Sequence, residues 1–384
     1  MAVLSAEDRS HLGRWWWSVD RPLLAAMLLL AALGVVLVCS AGPAVAVRIG
    51  APQMHFIIRH VMFLIPALGV LFICSLLSPK QIWRLATIVG GLGILGVIWS
   101  LFGGVEIKGA TRWVSLFGFS VQPSEFLKPC FVVFAGWLLA RQKTTEGFPG
   151  LLLAFALYIS VIVLLMSQPD LGMTVLVTVT FFAMIFLAGC PLRYIVLMGL
   201  GGILCLVAVY FTFSHVHSRI DRFLDPASGD TYQVDRSLEA FASGGLFGTG
   251  PGAGQVKMQL PDAHADFIFS VAAEELGLIF TILLMGLYAF IILRGFQRLR
   301  AGNSVFAMLG GGGLLVMLGF QACIHIGSAT QILPAKGMTL PLVSYGGSSL
   351  VAVGMMMGII LALTKGQGTR RHDFRWKPTA GNEF

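Results

Sequence analysis

Charge is what this chain has least of. Only 11% of its 384 residues are Asp, Glu, Lys or Arg, against 57% hydrophobic, which excludes an ordinary water-facing surface over most of the length. The apolar runs do not alternate with the period of a barrel strand, so a transmembrane β-barrel is excluded as well. The six cysteines, Cys39, Cys74, Cys130, Cys190, Cys205 and Cys323, form no C-x-x-C and fall in or beside apolar runs, so neither a disulfide framework nor a metal site is implied. The glycine-rich run Gly244–Gly254 lacks the G-K-[ST] of a phosphate loop and the strand-helix-strand setting of a dinucleotide fold. It reads either as a backbone cradle for phosphate or as a flexible turn.

What is present is a series of apolar runs that reach bilayer length: 23–42, 58–78, 84–103, 124–140, 150–167, 172–189, 194–213, 266–293, 304–326 and 343–364. In lipid such runs must be helical, because no water is available to an unpaired backbone group. The expected fold class is therefore an all-α polytopic membrane protein with ten transmembrane helices. A cytoplasmic segment (1–21) precedes the membrane domain (22–365), a long periplasmic loop (214–265) joins spans seven and eight, and a basic cytoplasmic tail (366–384) follows. Ala44-Val45-Ala46 resembles a signal-peptidase site, but the run before it is longer than a signal core, so a retained anchor is expected. With both termini inside, 16 of the 26 Lys and Arg fall on the cytoplasmic side, against six acids there. The excess of base thus belongs to loops beside anionic lipid and gives no support for nucleic-acid binding. Trp15-Trp16-Trp17 reads as an anchor in the headgroup layer.

The chemistry-bearing residues gather at the opposite, outer ends of the spans. Pro261–Leu278 carries four carboxylates and a histidine where the long loop enters an apolar run. Asp266 stands at that boundary, suited either to accept a proton or to cap the next helix. Glu274 lies eight residues on and is expected on the same helical face, with Glu275 turned away. Glu125 and Lys128 in Q-P-S-E-F-L-K are three apart and share a face, as functional charges or as a structural ion pair. Asp170 in Q-P-D-L-G is held at the membrane surface, as a cap or a site residue. Arg59 and His60 either face a cavity or reach outward. The segment from Leu333 to Ser349 is too apolar for a solvated loop and too rich in Pro and Gly for a helix, so it is expected to re-enter the membrane. Lys108, Arg112, Lys128, Arg222, Lys257 and Lys336 supply cations at headgroup level, and a lipid-linked pyrophosphate is the natural ligand.

K-G-A-T-R-W, Q-P-S-E-F-L-K, Q-P-D-L-G, D-A-H-A-D-F-I-F-S-V-A-A-E-E-L-G and L-P-A-K-G-M-T-L-P-L-V-S-Y-G-G-S-S-L, in this order across roughly residues 20 to 365, resemble the SEDS family (shape, elongation, division and sporulation), and within it the FtsW division branch. The resemblance implies a peptidoglycan glycosyltransferase of the inner membrane at the division septum. It would polymerise lipid II, release undecaprenyl pyrophosphate and work with a class B penicillin-binding protein and other division proteins. Asp266 matches the family's essential aspartate, and Glu125 and Lys128 match its acid and lysine in the fourth span. Substrate contacts are expected from Lys108, Arg112, Trp113, Glu125, Lys128, Asp170, Arg222, His264, Glu274, Lys336, Ser344 and Tyr345. No cofactor is implied, and a divalent cation is left open. Two departures from the pattern are His325, where many members have Asn, and Gln255, where a small polar residue is common. A lipid II flippase, a scaffold for division proteins and an elongation-type polymerase are the competing readings. A transporter would place ionisable groups near the bilayer midplane, whereas these cluster at one rim.

Overall fold

Long apolar runs that must satisfy their own backbone hydrogen bonds fold here as helices, and Pro or a capping Asp marks the start of several of them, as at Asp20, Pro79, Pro123 and Asp170. The computed structural model describes residues 10–107, 110–116, 118–212, 232–334 and 337–365. In chain order the helices are α1 (His11–Ser18), α2 (Arg21–Arg48), α3 (His55–Leu76), α4 (Pro79–Gly103), α5 (Pro123–Thr144), α6 (Gly150–Ser167), α7 (Leu171–Leu187), α8 (Leu192–Thr212), α9 (Tyr232–Gly244), α10 (Ile268–Ala301), α11 (Gly312–Ala329) and α12 (Gly347–Leu363). A π-helical turn at Ala307–Gly311 leads into α11. Among the described residues, seven helices are long and apolar enough to cross a membrane: α2 to α6, α10 and the Ala307–Ala329 stretch. The apolar helices α7 and α12 are shorter. Each of the ten apolar runs overlaps a helix, and large apolar side chains such as Ile65, Leu95 and Leu283 point outward, as a lipid-facing surface requires.

The structure departs from the sequence expectation in three places. The segment between α4 and α5 is a three-stranded antiparallel sheet, β1 (Val105–Ile107), β2 (Ala110–Leu116) and β3 (Phe119–Val121), in the order β1-β2-β3. Its Val, Ile, Thr and Trp favour strand, and Gly118 takes the positive φ of 81° that turns β2 into β3, so the chain is not all-α. The last run begins as a buried non-helical turn, and helix starts only at Gly347.

The third departure is in α10, which is broken at Gly277 (φ 80°, ψ 177°). A break in a buried helix strands carbonyls on one side and N–H groups on the other, each costing about 1–3 kcal/mol if left unpaired. The glycine-rich run supplies the missing partners. Thr249 N–H donates to Glu274 O (2.9 Å), Gly250 N–H to Glu275 O (3.0 Å), and Leu278 N–H to Gly245 O (3.0 Å). This contact leaves no room for side chains: a Cβ on Gly277 would lie 2.4 Å from Leu246 O, and one on Gly248 would lie 2.1 Å from Glu275 O. The first part of the run, residues 244–250, is therefore neither a phosphate cradle nor a flexible turn, but the backbone insert that completes α10.

At the other end of the bundle, Asp20 caps α2 by accepting from Leu23 N–H (3.0 Å) and pairs with Arg294 (3.0 Å) and Arg298 of α10. Trp15 donates from Nε1 to Ser75 Oγ (2.9 Å), and Arg21 covers the rings of Trp16 and Trp17. Burial pushes the Asp20 carboxyl up, but the bonds from Arg294, Leu23 N–H and Arg298 outweigh it and hold the group below its ordinary value of 3.8. A depressed carboxyl stabilises the fold above its unfolded pKa, and that contribution is lost as pH falls through the lower folded value. Asp20→Asn keeps a cap and loses the ion pairs, while Asp20→Ala loses both. In detergent melting the Ala variant should be less stable than the Asn variant by about 1 kcal/mol, and the advantage of wild type over Asn should shrink below about pH 4.

Candidate functional site

The segment before α12 runs through the bundle without helical bonds, so its carbonyls need partners from neighbouring helices. Tyr288 of α10 donates to Pro341 O (2.6 Å), and Gln321 of α11 donates to Thr339 O (3.1 Å). His325 Nδ1 lies 2.6 Å from Met338 O and is the donor there, because a carbonyl only accepts. Leu340, Leu342, Val343 and Ser344 are all buried. The segment expected to re-enter the membrane is a buried, non-helical strap among the helices, and the departure at His325 supplies one of its bonds.

The strap grips the loop before α10. Tyr345 N–H donates to His264 O (3.0 Å), and Ser344 Oγ donates to Ala265 O (2.7 Å) while accepting from Leu340 N–H (2.8 Å). The His264 ring lies 4.0 Å from that of Phe56 and 5.0 Å from that of Tyr345. Between the strap, α3, α5, α9 and β2 lies a cleft of about 740 Å³, and half-buried Asp266 is on its wall. Residue 266 does not cap α10: the cap position is Phe267, with no side-chain bond. Gly337 packs beside the carboxylate, where a Cβ would come within 3.2 Å of Oδ2.

The facing wall holds the other charges. Glu125 and Lys128, both buried, sit 2.9 Å apart on the first turns of α5, and Glu125 lines the cleft. Asp170 caps α7 by accepting from Met173 N–H (3.2 Å) and also lines the cleft, so the cap and site readings describe one residue. Arg112 lines the cleft too, but its guanidinium is engaged with Gln168 O (Nε, 3.1 Å), Pro169 O (Nη2, 2.6 Å) and the Asp170 carboxylate (3.5 Å). It braces the Q-P-D turn and has only its remaining N–H groups for a ligand. Trp113, His264 and Tyr345 complete the expected residues that line the cleft.

Several expectations are corrected. Glu274 lies outside the cleft, buried, with its two oxygens accepting from Val256 N–H (2.7 Å) and Lys257 N–H (2.9 Å). Its spacing from Asp266 misled because Asp266 precedes the helix and shares no helical face with it. Lys257 is likewise buried and paired with Glu275, so it is no cation for a ligand. Ser344 is a buried strap residue behind the cleft wall. Lys108, Arg222 and Lys336 lie outside the described residues. Of the two residues the sequence leaves undecided, Arg59 lines the cleft from α3 in no ion pair among the described residues, whereas His60 is buried and outside the cleft lining. The place of Arg59 one turn into an apolar helix was the only available signal. Among the described residues no three His, Cys, Asp or Glu side chains converge as a metal site would need.

A helical membrane bundle with a half-buried carboxylate and cations in one polar cleft defines a class of enzyme or carrier that acts on a charged group attached to lipid. The FtsW, RodA and SpoVE profile, described as cell cycle protein, matches residues 21–368, and the chain belongs to this family. A probable peptidoglycan glycosyltransferase FtsW of Caulobacter vibrioides is 46% identical over 362 residues, covering 93% of this chain and 92% of its own. One from Coxiella burnetii is 36% identical over 366 residues, covering 90% and 96%. Among solved structures, a chain of a peptidoglycan synthase complex that coordinates polymerization and crosslinking superposes with a TM-score of 0.75 at 29% identity, covering 90% of this chain and 97% of that one. The rod shape determining protein RodA of Thermus thermophilus superposes at 0.68 and 29%, covering 91% and 97%.

Burial raises the pKa of Asp170, and Arg112 and Met173 N–H offset this only in part, so the group stays above its ordinary value. A carboxyl raised by folding favours the native state at low pH and loses that contribution as pH climbs through its folded value. Against Asp170→Asn, which cannot titrate, wild type should therefore gain melting temperature as pH falls from neutral toward the ordinary carboxyl value of 3.8. A constant difference across that range would contradict the reading.

Proposed function

We infer that the protein is a peptidoglycan glycosyltransferase that polymerises lipid II. The observation that carries this reading is the half-buried Asp266 on the wall of a cleft that also presents Arg59 and Arg112. Asp266 takes the proton from the acceptor sugar's C4 hydroxyl as that oxygen attacks C1 of the donor, and the bond from C1 to the pyrophosphate oxygen breaks. The departing undecaprenyl pyrophosphate is an anion already, so no second carboxylic acid is needed to protonate it. Arg59 is the best-placed cation for its negative charge, with Lys336 and Lys108 as further contacts by resemblance. Arg112 and the Glu125–Lys128 pair shape the opposite wall, where Lys128 reaches the ligand only through or past Glu125. A flippase is less well supported, because the ionisable groups of the cleft gather at one end of the bundle and most helix centres are uncharged.

The same reading takes the ten apolar helices as spans, both termini as cytoplasmic and the loop at 214–265 as periplasmic, with residues 1–21 and 366–384 flanking the membrane domain. A class B penicillin-binding protein is the partner, and the division septum is the place of action.

Two variants test the roles. Asp266→Asn keeps the side chain's shape and should lower glycan polymerisation by purified protein at least about 100-fold, the scale of a lost general base, without lowering the melting temperature. Arg59→Ala should weaken polymerisation by about 10- to 100-fold, whereas Arg59→Lys retains part of it. Near-normal chain synthesis by Asp266→Asn would refute the base assignment, and near-normal synthesis by Arg59→Ala would move the leaving-group site elsewhere.

A further inference from the structure

Asp266 stands midway between Lys257 and Glu275, nine residues from each, and those two residues are joined by an ion pair. The segment from 257 to 275, a loop followed by the first two turns of α10, is thus closed at its two ends, with Asp266 midway along it and just before the helix; its closed ends are called the neck and the turn around Asp266 the apex. Three contacts close the neck. The Glu274 carboxylate spans the Val256 and Lys257 amides, the Lys257 ammonium meets Glu275, and Ser40 of α2 receives Lys257 Nζ (3.0 Å) while donating to the other Glu275 oxygen. Arg48 of α2 adds a bond to Met258 O. Gly254 lies flush on Glu274, where a Cβ would fall 2.8 Å from the carboxylate carbon. The two glutamates and the lysine are all at least nine-tenths buried, so water screens their charges little.

We propose that Lys257, Glu275 and Ser40 are positioning residues for Asp266: their pairing fixes the neck against α2 and thereby sets how far the carboxylate at the apex projects into the cleft. The strap holds the apex from the other side through the carbonyls of His264 and Ala265, so the carboxylate is fixed from both ends. None of the three residues lines the cleft. This inference rests on Asp266 being the base, and its effect belongs in turnover: a carboxylate displaced by about 1 Å costs up to about 100-fold in rate.

Removing one charge would leave the other buried and unpaired and threaten the fold, so the test uses Lys257→Met with Glu275→Gln, which removes both charges at similar size. In the full-length protein in nanodiscs, this double variant should keep its melting temperature. Hydrogen exchange of amides between 260 and 272 should quicken by about tenfold. The kcat for lipid II polymerisation should fall at least about tenfold with KM within about twofold, because ground-state contacts are untouched. Lys257→Arg, which keeps the charge, should recover most of the loss. If the double variant folds poorly, Ser40→Ala removes one hydroxyl and should show the same pattern at about threefold. Unchanged exchange, or quickened exchange with unchanged kcat, overturns the positioning role. If Asp266→Asn itself polymerises normally, the base assignment fails instead, and the exchange measurement alone still decides whether the neck orders the apex.

Discussion

The structure turns on the broken helix α10 and the backbone that repairs it. A helix interrupted inside an apolar bundle is tolerable only if each freed N–H and carbonyl finds a partner, since water cannot reach them. Here the partners come from residues 245–250, whose glycines let the backbones touch. The break frees the first part of α10 from the direction of its remainder, so the segment carrying Asp266 is placed by loop and strap contacts. One glycine at 277 and a run of glycines at 244–250 are two halves of a single device.

Much of the site was legible before any coordinates. Glu125 and Lys128 were paired by three-residue spacing because both lie within one regular helix, and they are paired in the structure. Asp266 was singled out by its place at the edge of an apolar run, which depends on local sequence alone. The misses share a different cause. Glu274 was assigned to the face of Asp266 on the assumption of a helix running through both, yet the helix begins at Ile268. Lys257 and the glycine run have roles set by residues far away in sequence, Ser40 and Glu275 for the first and the break at Gly277 for the second. Arg112 looked like a ligand cation until the Q-P-D carbonyls occupied it. The strands between 105 and 121 rest on Val, Ile and Thr in a segment whose charges, Glu106, Lys108 and Arg112, give it the look of a plain polar loop.

The cleft joins these parts into one chemical arrangement. Its half-buried carboxylate, Asp266, follows a loop held by the strap, and other charges of its lining, Arg112 with Asp170 and Glu125 with Lys128, brace one another. Such mutual bracing keeps polar groups aimed without reorganisation, which is where electrostatic catalysis gains most. Membership of the FtsW, RodA and SpoVE family agrees with this arrangement, and the route proposed for it is a single displacement.

That route is tested most directly by the stereochemistry of the bond it makes. Purified protein with its partner would be given isotopically labelled lipid II, and the anomeric configuration of the new glycosidic linkage compared by NMR with that of the donor phosphate linkage. Attack by an acceptor hydroxyl activated by Asp266 requires inversion. Retention of configuration would demand a covalent glycosyl-enzyme intermediate and would contradict the account.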